Sequence, residues 1–162
     1  MAVETYFHAG IFVYDIEEAI ERYSKTLGLS FVEPVMNGIP RLVDEGRESS
    51  LVLPIAYATQ GPPYYELLQM TGADGLYGRH HGEGVHHLGL WDPDVAGTVA
   101  RLETEGVRLE AAQYTPEGEF VAAYFRPGDL HAVRIELVDE ARRPMMEEWI
   151  HGAAFEDFPE AG

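Results

Sequence analysis

The sequence predicts an α+β fold, two βαβββ modules whose strands form one curved mixed sheet around a metal site. Three observations carry this. The chain repeats itself: with His8 placed over His87, His8-Ala9-Gly10-Ile11 lies over His87-Leu88-Gly89-Leu90, Asp15 over Asp94 and Arg22 over Arg101. Gly28 falls over Gly106 once one residue is deleted. Strand-like and helix-like segments follow in the same order in both halves, as a duplicated unit requires. Finally, each half carries in its first strand a histidine with glycine two residues on, and in its last strand one glutamate.

In the first half, Tyr6 to Val13 is rich in β-branched and aromatic residues and reads as a strand. Asp15 is placed to cap a helix, with Glu18 three residues on completing a capping-box spacing. Ile16, Ala19, Ile20, Tyr23 and Leu27 follow the helical apolar period, and Gly28 is a natural stop. Leu29 to Val35, Ser49 to Ala58 and Tyr64 to Met70 read as strands, separated by Asn37-Gly38 and Gly61-Pro62-Pro63.

The second half repeats this order. Val85 to Trp91 is a strand, Asp94 caps a helix with Val95, Val99 and Leu102 on one face, and Gly106 ends it. Val107 to Ala111, Phe120 to Phe125 and Ala132 to Val138 are strands, with turns at Pro116-Glu117-Gly118 and Pro127-Gly128-Asp129. The expected organisation is a first module over 1–71, a linker over 72–84, a second module over 85–140 and a C-terminal extension over 141–162. The linker has no apolar periodicity and reads as a mobile connection reaching over one end of a pocket. The extension holds a short helix around Met145 to Ile150.

Composition narrows the function. A net charge of −17 argues against nucleic acid and against anionic membrane surfaces as partners. No apolar run approaches the ~20 residues of a membrane span. Met1 to Phe12 has no basic run, so it is not read as a secretory signal, and a cytoplasmic protein is the expectation. The chain has no cysteine, which removes disulfides and thiolate chemistry. Any metal must then be held by His, Asp, Glu or backbone oxygen.

His8, Gly10 and Phe12 share one face of the first strand, and His87, Gly89 and Trp91 the matching face of the fifth. Glycine there leaves room for a bulky group to approach. Glu66 in Tyr64-Tyr65-Glu66-Leu67-Leu68 and Glu136 in Arg134-Ile135-Glu136-Leu137-Val138 sit on otherwise apolar strands. A carboxylate there is costly unless paired or metal-bound. In an antiparallel meander the first and last strands of each module are adjacent, so one His and one Glu per module point into the same space. Two modules then supply His8, Glu66, His87 and Glu136 to one divalent ion: Zn, Ni, Co, Mn or Fe.

Other polar residues read differently. By strand alternation His86 points away from His87 and is a packed histidine. His80, His81, His131 and His151 fall in turns or the tail and are expected to be exposed. Arg134 shares a face with Glu136 and meets either an anionic substrate or a neighbouring carboxylate. Tyr64, Phe12 and Trp91 have the parity of the metal-facing side.

The segments Phe7-His8-Ala9-Gly10-Ile11-Phe12-Val13, Gly84-Val85-His86-His87-Leu88-Gly89-Leu90 and Arg134-Ile135-Glu136-Leu137-Val138 resemble the vicinal oxygen chelate superfamily, which includes glyoxalases, methylmalonyl-CoA epimerases, extradiol dioxygenases and bleomycin resistance proteins. The resemblance spans about residues 5 to 140. It implies metal ligands at His8, Glu66, His87 and Glu136. The double histidine is similar to that of the epimerases, where the second of the pair is the ligand. The epimerases carry glutamine at the position of Glu66, and the glyoxalases glutamate. Epimerases also use a further glutamate on the third strand as a base. Here that strand runs Ser49-Ser50-Leu51-Val52-Leu53 with Glu48 only at its edge, which counts against two-base epimerisation. No basic cluster suits coenzyme A phosphates or glutathione carboxylates.

The activity implied is metal-dependent isomerisation, epimerisation or lyase chemistry on a small substrate chelated through two adjacent oxygens. Glu136 is the candidate base and Glu66 its partner across the site. A ring-cleaving dioxygenase is one alternative, although a fourth protein ligand would block a position needed by oxygen. A non-catalytic small-molecule-binding or resistance protein is another. A homodimer is expected, because modules of this kind leave sheet edges and one sheet face to be covered.

Overall fold

The computed structural model describes residues 6–155. In chain order the elements are β1 (Tyr6–Val13), α1 (Ile16–Leu27), β2 (Val35–Asp44), β3 (Arg47–Tyr57), β4 (Tyr64–Gln69), β5 (Gly84–Asp92), α2 (Val95–Thr104), β6 (Leu109–Tyr114), β7 (Phe120–Phe125), β8 (Ile135–Asp139) and α3 (Arg143–Ile150). Both halves therefore have the βαβββ order, and α3 follows.

The helix ends use the residues the sequence marks for them. The Asp15 side chain accepts a hydrogen bond from the Glu18 backbone N–H, and Gly28 closes α1 in the left-handed conformation. Asp94 caps α2 through the Gly97 N–H.

The eight strands close into a barrel in the order β1-β4-β3-β2-β6-β7-β8-β5. The halves meet at two antiparallel seams, β1 with β5 and β2 with β6. Within each half the first and last strands are adjacent, as expected, but they run parallel, β1 with β4 and β5 with β8. The helix after each first strand carries the chain across to β2 or β6, and three strands of meander bring it back in the starting direction. Closure occurs within one chain and leaves no free sheet edge among the described residues, which removes one of the two grounds on which a homodimer was expected.

Closure also divides the apolar residues into three groups. Phe7, Phe12, Leu53, Tyr57 and Tyr124 are among those filling the barrel interior. Ile11, Val13, Ala56 and Leu67 pack outward under α1, and Ala123, Phe125 and Leu137 under α2. Strand alternation explains this division, since neighbours such as Glu136 and Leu137 face opposite sides.

Three segments differ from the sequence expectation. Residues 29–33 contribute only an isolated bridge, Phe31 to Ala58, and the strand is 35–44, running straight through Asn37-Gly38. The turn lies instead at Glu45-Gly46, both at positive φ (51° and 77°), the backbone a tight hairpin needs. Asn37 and Gly38 pair with Leu53 and Val52 and line the interior cavity, so their small size serves space there. In the second half, β6 begins at Leu109 and runs on to Tyr114. The linker is anchored: Leu76 and Tyr77 are buried, and Asp44 Oδ2 accepts from the Leu76 N–H at 2.7 Å. Two apolar side chains without periodicity were enough to plug one end of the barrel.

Candidate metal centre

His8, Glu66, His87 and Glu136 converge inside the barrel, all buried, with one ligand atom each lying within 4.8 Å of the others. Strand register explains the convergence. Gly10 sits between Glu66 on β4 and His87 on β5, and Gly89 between Glu136 on β8 and His8 on β1. The bulky group that each glycine admits is the other module's imidazole. A Cβ built on Gly10 would lie 2.1 Å from His87 Cε1, and one on Gly89 would lie 1.9 Å from His8 Cε1.

His8 Nε2 is 3.0 Å from His87 Nε2. Glu66 Oε2 is 3.0 and 3.3 Å from these nitrogens, and Glu136 Oε2 is 3.0 and 3.1 Å. Adjacent ligands of a six-coordinate ion with bonds of about 2.1 Å are about 3.0 Å apart. Glu66 Oε2 is fully buried and makes no well-directed hydrogen bond, although two imidazoles are close by. A buried oxygen facing two nitrogens across this spacing is what a cation between them would satisfy. The residues fit one divalent metal ion, and a six-coordinate ion held by four protein atoms keeps two further positions.

The electrostatics agree. Burial pushes the His8 imidazole down, but the Glu66 charge and the Glu66 and Glu136 carboxylate oxygens 3.0 Å from its Nε2 outweigh it and raise its pKa to about 9. His87 is raised as well, burial again being outweighed, here chiefly by Glu136. Burial pushes both carboxyls up, and the imidazoles more than reverse it, so both are held below the usual range. Each carboxylate is also backed from the neighbouring antiparallel strand. Tyr57 stands opposite Glu66 and Tyr124 opposite Glu136. The Tyr124 hydroxyl donates to Glu136 Oε1 at 2.7 Å, leaving Oε2 for the centre. The Glu66 charge bears on the buried Tyr57 hydroxyl, and burial with that charge raises the Tyr57 pKa. Tyr77, from the linker, meets the Tyr124 hydroxyl at 2.8 Å.

His86 corrects the sequence expectation. The register of β1 against β5 shifts between Gly10 and Ile11, leaving His86 as the extra residue of a β-bulge, so both His86 and His87 turn inward. A matching shift on β1 leaves Phe7 extra. Phe7 stacks on Trp91 at 3.7 Å and His86 on Phe12 at 3.8 Å, so His86 occupies the place of Phe7 in the duplicated frame. Its Nδ1 lies 3.0 Å from His87 Nδ1. Burial, then the neighbouring His87, push its pKa down, so it is neutral and can accept the His87 N–H. Such a bond turns Nε2 of His87 toward the centre. Strand alternation hides this residue; the adjacent His-His pair was the only signal.

His81 is half-buried, its Nε2 3.0 Å from the Gly75 carbonyl, whereas His80, His131 and His151 are exposed. Arg134 pairs with Glu110 through two bonds of 2.8 and 3.0 Å, outside the cavity. Trp91 lines the cavity. Tyr64 instead reaches Glu147 through its hydroxyl, and Phe12 is covered by His86. The sequence reading missed Arg142, which lines the cavity beside His8, Glu66 and Glu136.

Comparison with known proteins bears on the fold and the family. A methylmalonyl-CoA epimerase variant of Streptomyces coelicolor, solved with 2-nitronate-propionyl-CoA, is 26% identical, with a TM-score of 0.62 over 85% of this chain and 95% of that one. The Mycobacterium tuberculosis methylmalonyl-CoA epimerase is also 26% identical, with a TM-score of 0.59 over 83% of this chain and 87% of that one. A hypothetical protein from Bacillus halodurans shares the fold at 20% identity, with a TM-score of 0.61 over 83% and 92% of the two chains. No curated protein sequence matches. The family profile matches residues 7–125, and on that match the chain belongs to the Glyoxalase/Bleomycin resistance protein/Dioxygenase superfamily, the vicinal oxygen chelate group.

Proposed function

We propose that this protein is a divalent-metal-dependent isomerase, epimerase or lyase acting on a small oxygenated substrate through two adjacent oxygens. The observation that supports it is the buried His8-Glu66-His87-Glu136 quartet at ligand spacing. A divalent ion held by these residues would stabilise negative charge developing on two adjacent substrate oxygens. Glu136 is the candidate base that moves a substrate proton, with Glu66 opposite it. Tyr124 holds the Glu136 carboxylate in place, Tyr57 packs opposite Glu66, and the aromatic lining excludes water from both.

The solved epimerases bind acyl-CoA ligands, but one feature of this chain bears on the reaction. The β3 residues lining the cavity are Leu53, Ile55 and Tyr57, with no carboxylate among them. Glu48 instead lies exposed, paired with Arg41. One-base proton exchange or lyase chemistry is therefore favoured over two-base epimerisation. Four protein ligands also count against oxygen activation, which needs an open facial triad. All four come from one chain, so the site is complete without a dimer.

The test is metal analysis of protein purified without chelator, followed by a screen of 2-oxo and 2-hydroxy carbonyl compounds for proton exchange in D₂O. We expect about one metal per chain, and exchange slowed by about 10²-fold or more in Glu136→Gln. Full metal occupancy after replacing both Glu66 and Glu136 by alanine overturns the reading.

A further inference from the structure

The two halves stack aromatic rings in equivalent places, and the stacks differ in where they carry a polar group. Phe7 and His86 are the bulged residues, and Phe12 and Trp91 each stand four residues after a ligand histidine. Phe12 stacks on His86 and Trp91 on Phe7. Phe12 fills its place with a plain hydrocarbon ring, so stacking alone does not call for an indole at Trp91. Trp91 is only 3% exposed, and its Nε1 is a buried donor without a hydrogen-bond partner among the described residues. A buried N–H left unpaired is costly, and native interiors keep few of them.

Trp91 lines the metal-centred cavity together with His8, Glu66 and Glu136, whereas Phe12 is covered by His86. Its neighbours in that wall are Phe7, Val138 across the β5–β8 pair and Ala122 beyond it. None of these side chains offers an acceptor. Phe7 packs edge-on to His8 at 4.2 Å and face-on to Trp91 at 3.7 Å, so the indole is held one ring further out than the ligand. The enclosed space is about 60 Å³. At about 10–15 Å³ per water-sized occupant, that is room for about four to six heavy atoms.

We infer that Trp91 is a specificity-determining residue: its indole N–H donates to a third substrate oxygen, beyond the two that the metal chelates. The substrate class that fits is a short hydroxycarbonyl compound of about six heavy atoms with oxygen on three neighbouring carbons. This rests on the reading in the preceding subsection. A third oxygen supplies the acceptor that the apolar wall lacks. An otherwise similar molecule without it leaves the indole N–H unpaired on binding, which is how a buried donor selects against the analogue that cannot meet it.

The experiment compares dihydroxyacetone with hydroxyacetone, which lacks one hydroxyl but keeps two adjacent oxygens. Both are titrated into Zn(II)-loaded, ¹⁵N-labelled protein, with affinity read from backbone amide shifts. The wild type should prefer dihydroxyacetone by about fivefold or more, within the range for one neutral hydrogen bond. Trp91→Phe copies the Phe12 half of the molecule. It should bring that preference close to one, with zinc content and hydroxyacetone affinity unchanged. The chain has two tryptophans, so loss of one indole signal in Trp91→Phe identifies it. In the wild type that signal should move further downfield with dihydroxyacetone than with hydroxyacetone, a readout that needs no variant to fold. Protein that takes up no zinc overturns the preceding reading and this one with it. Zinc uptake with binding of neither compound, with equal binding of both, or with an equal indole shift for both overturns the Trp91 subsite alone, as does a preference that survives in Trp91→Phe.

Discussion

Replacing Gly89 by alanine tests the construction of the metal centre without touching a ligand. The new methyl would stand 1.9 Å from His8 Cε1, whereas ordinary contacts begin at 3.4 Å, so the His8 ring must retreat by about 1.5 Å. Metal bonds tolerate about 0.2 Å of displacement. The ring therefore leaves the coordination position, although every ligand is still present in the sequence. We expect metal affinity to fall by about 10²-fold or more, beyond the range for losing an outer hydrogen bond to a ligand. Overpacking should cost the metal-free protein about 1–3 kcal/mol. Gly10→Ala should behave alike through the His87 ring, since its methyl would stand 2.1 Å from Cε1. Gly128→Ala is the control, as nothing lies within 4 Å of the added atom. Calorimetric metal titration gives the affinity, and urea denaturation in chelator separates the folding cost. Wild-type metal affinity in Gly89→Ala, with the fold intact, would refute the assignment of His8 to the centre.

Tyr124→Phe removes the donor to Glu136 Oε1. It should cost about 1–3 kcal/mol of stability and about tenfold in metal affinity, and thermal denaturation with metal titration that moves neither would refute the clamp. His86→Phe copies the Phe7 half of the molecule and frees the His87 N–H. Metal affinity should drop by about 10–100-fold, and an unchanged affinity would show that the Nδ1 contact does not orient the ring. The pH dependence follows from His8, whose pKa rises from 6.5 to about 9 in the folded, metal-free protein. Its contribution to stability is fully present below pH 6.5 and is lost as pH rises through about 9. The metal-free melting temperature should therefore fall across that window. Because the bound proton must leave before metal enters, metal affinity should climb from pH 7 to about 9. Calorimetry at pH 7 in buffers of differing ionisation enthalpy should detect the released proton.

Much of this was legible in the chain alone. The helix caps at Asp15 and Asp94, the outward and inward faces of β4 and β8, and the four candidate ligands depend on local rules. Capping needs a side chain a few residues from a backbone N–H, and strand alternation assigns faces without reference to partners. The internal repeat then raised four separate residues to a matched set. What sequence could not supply was pairing. The bulges that turn Phe7 and His86 inward exist only because β1 and β5 lie side by side with slipped register. The strand through Asn37-Gly38 is held by β3 and β6 against its own turn propensity, as tertiary contacts routinely allow. Burial of Leu76 and Tyr77 and the position of Arg142 beside Glu66 depend on which end of the barrel each segment closes. Residue types and periodicity determined which groups face inward. The closed sheet decided which of them meet, because distances of about 3 Å between residues remote in sequence arise only from long-range strand register.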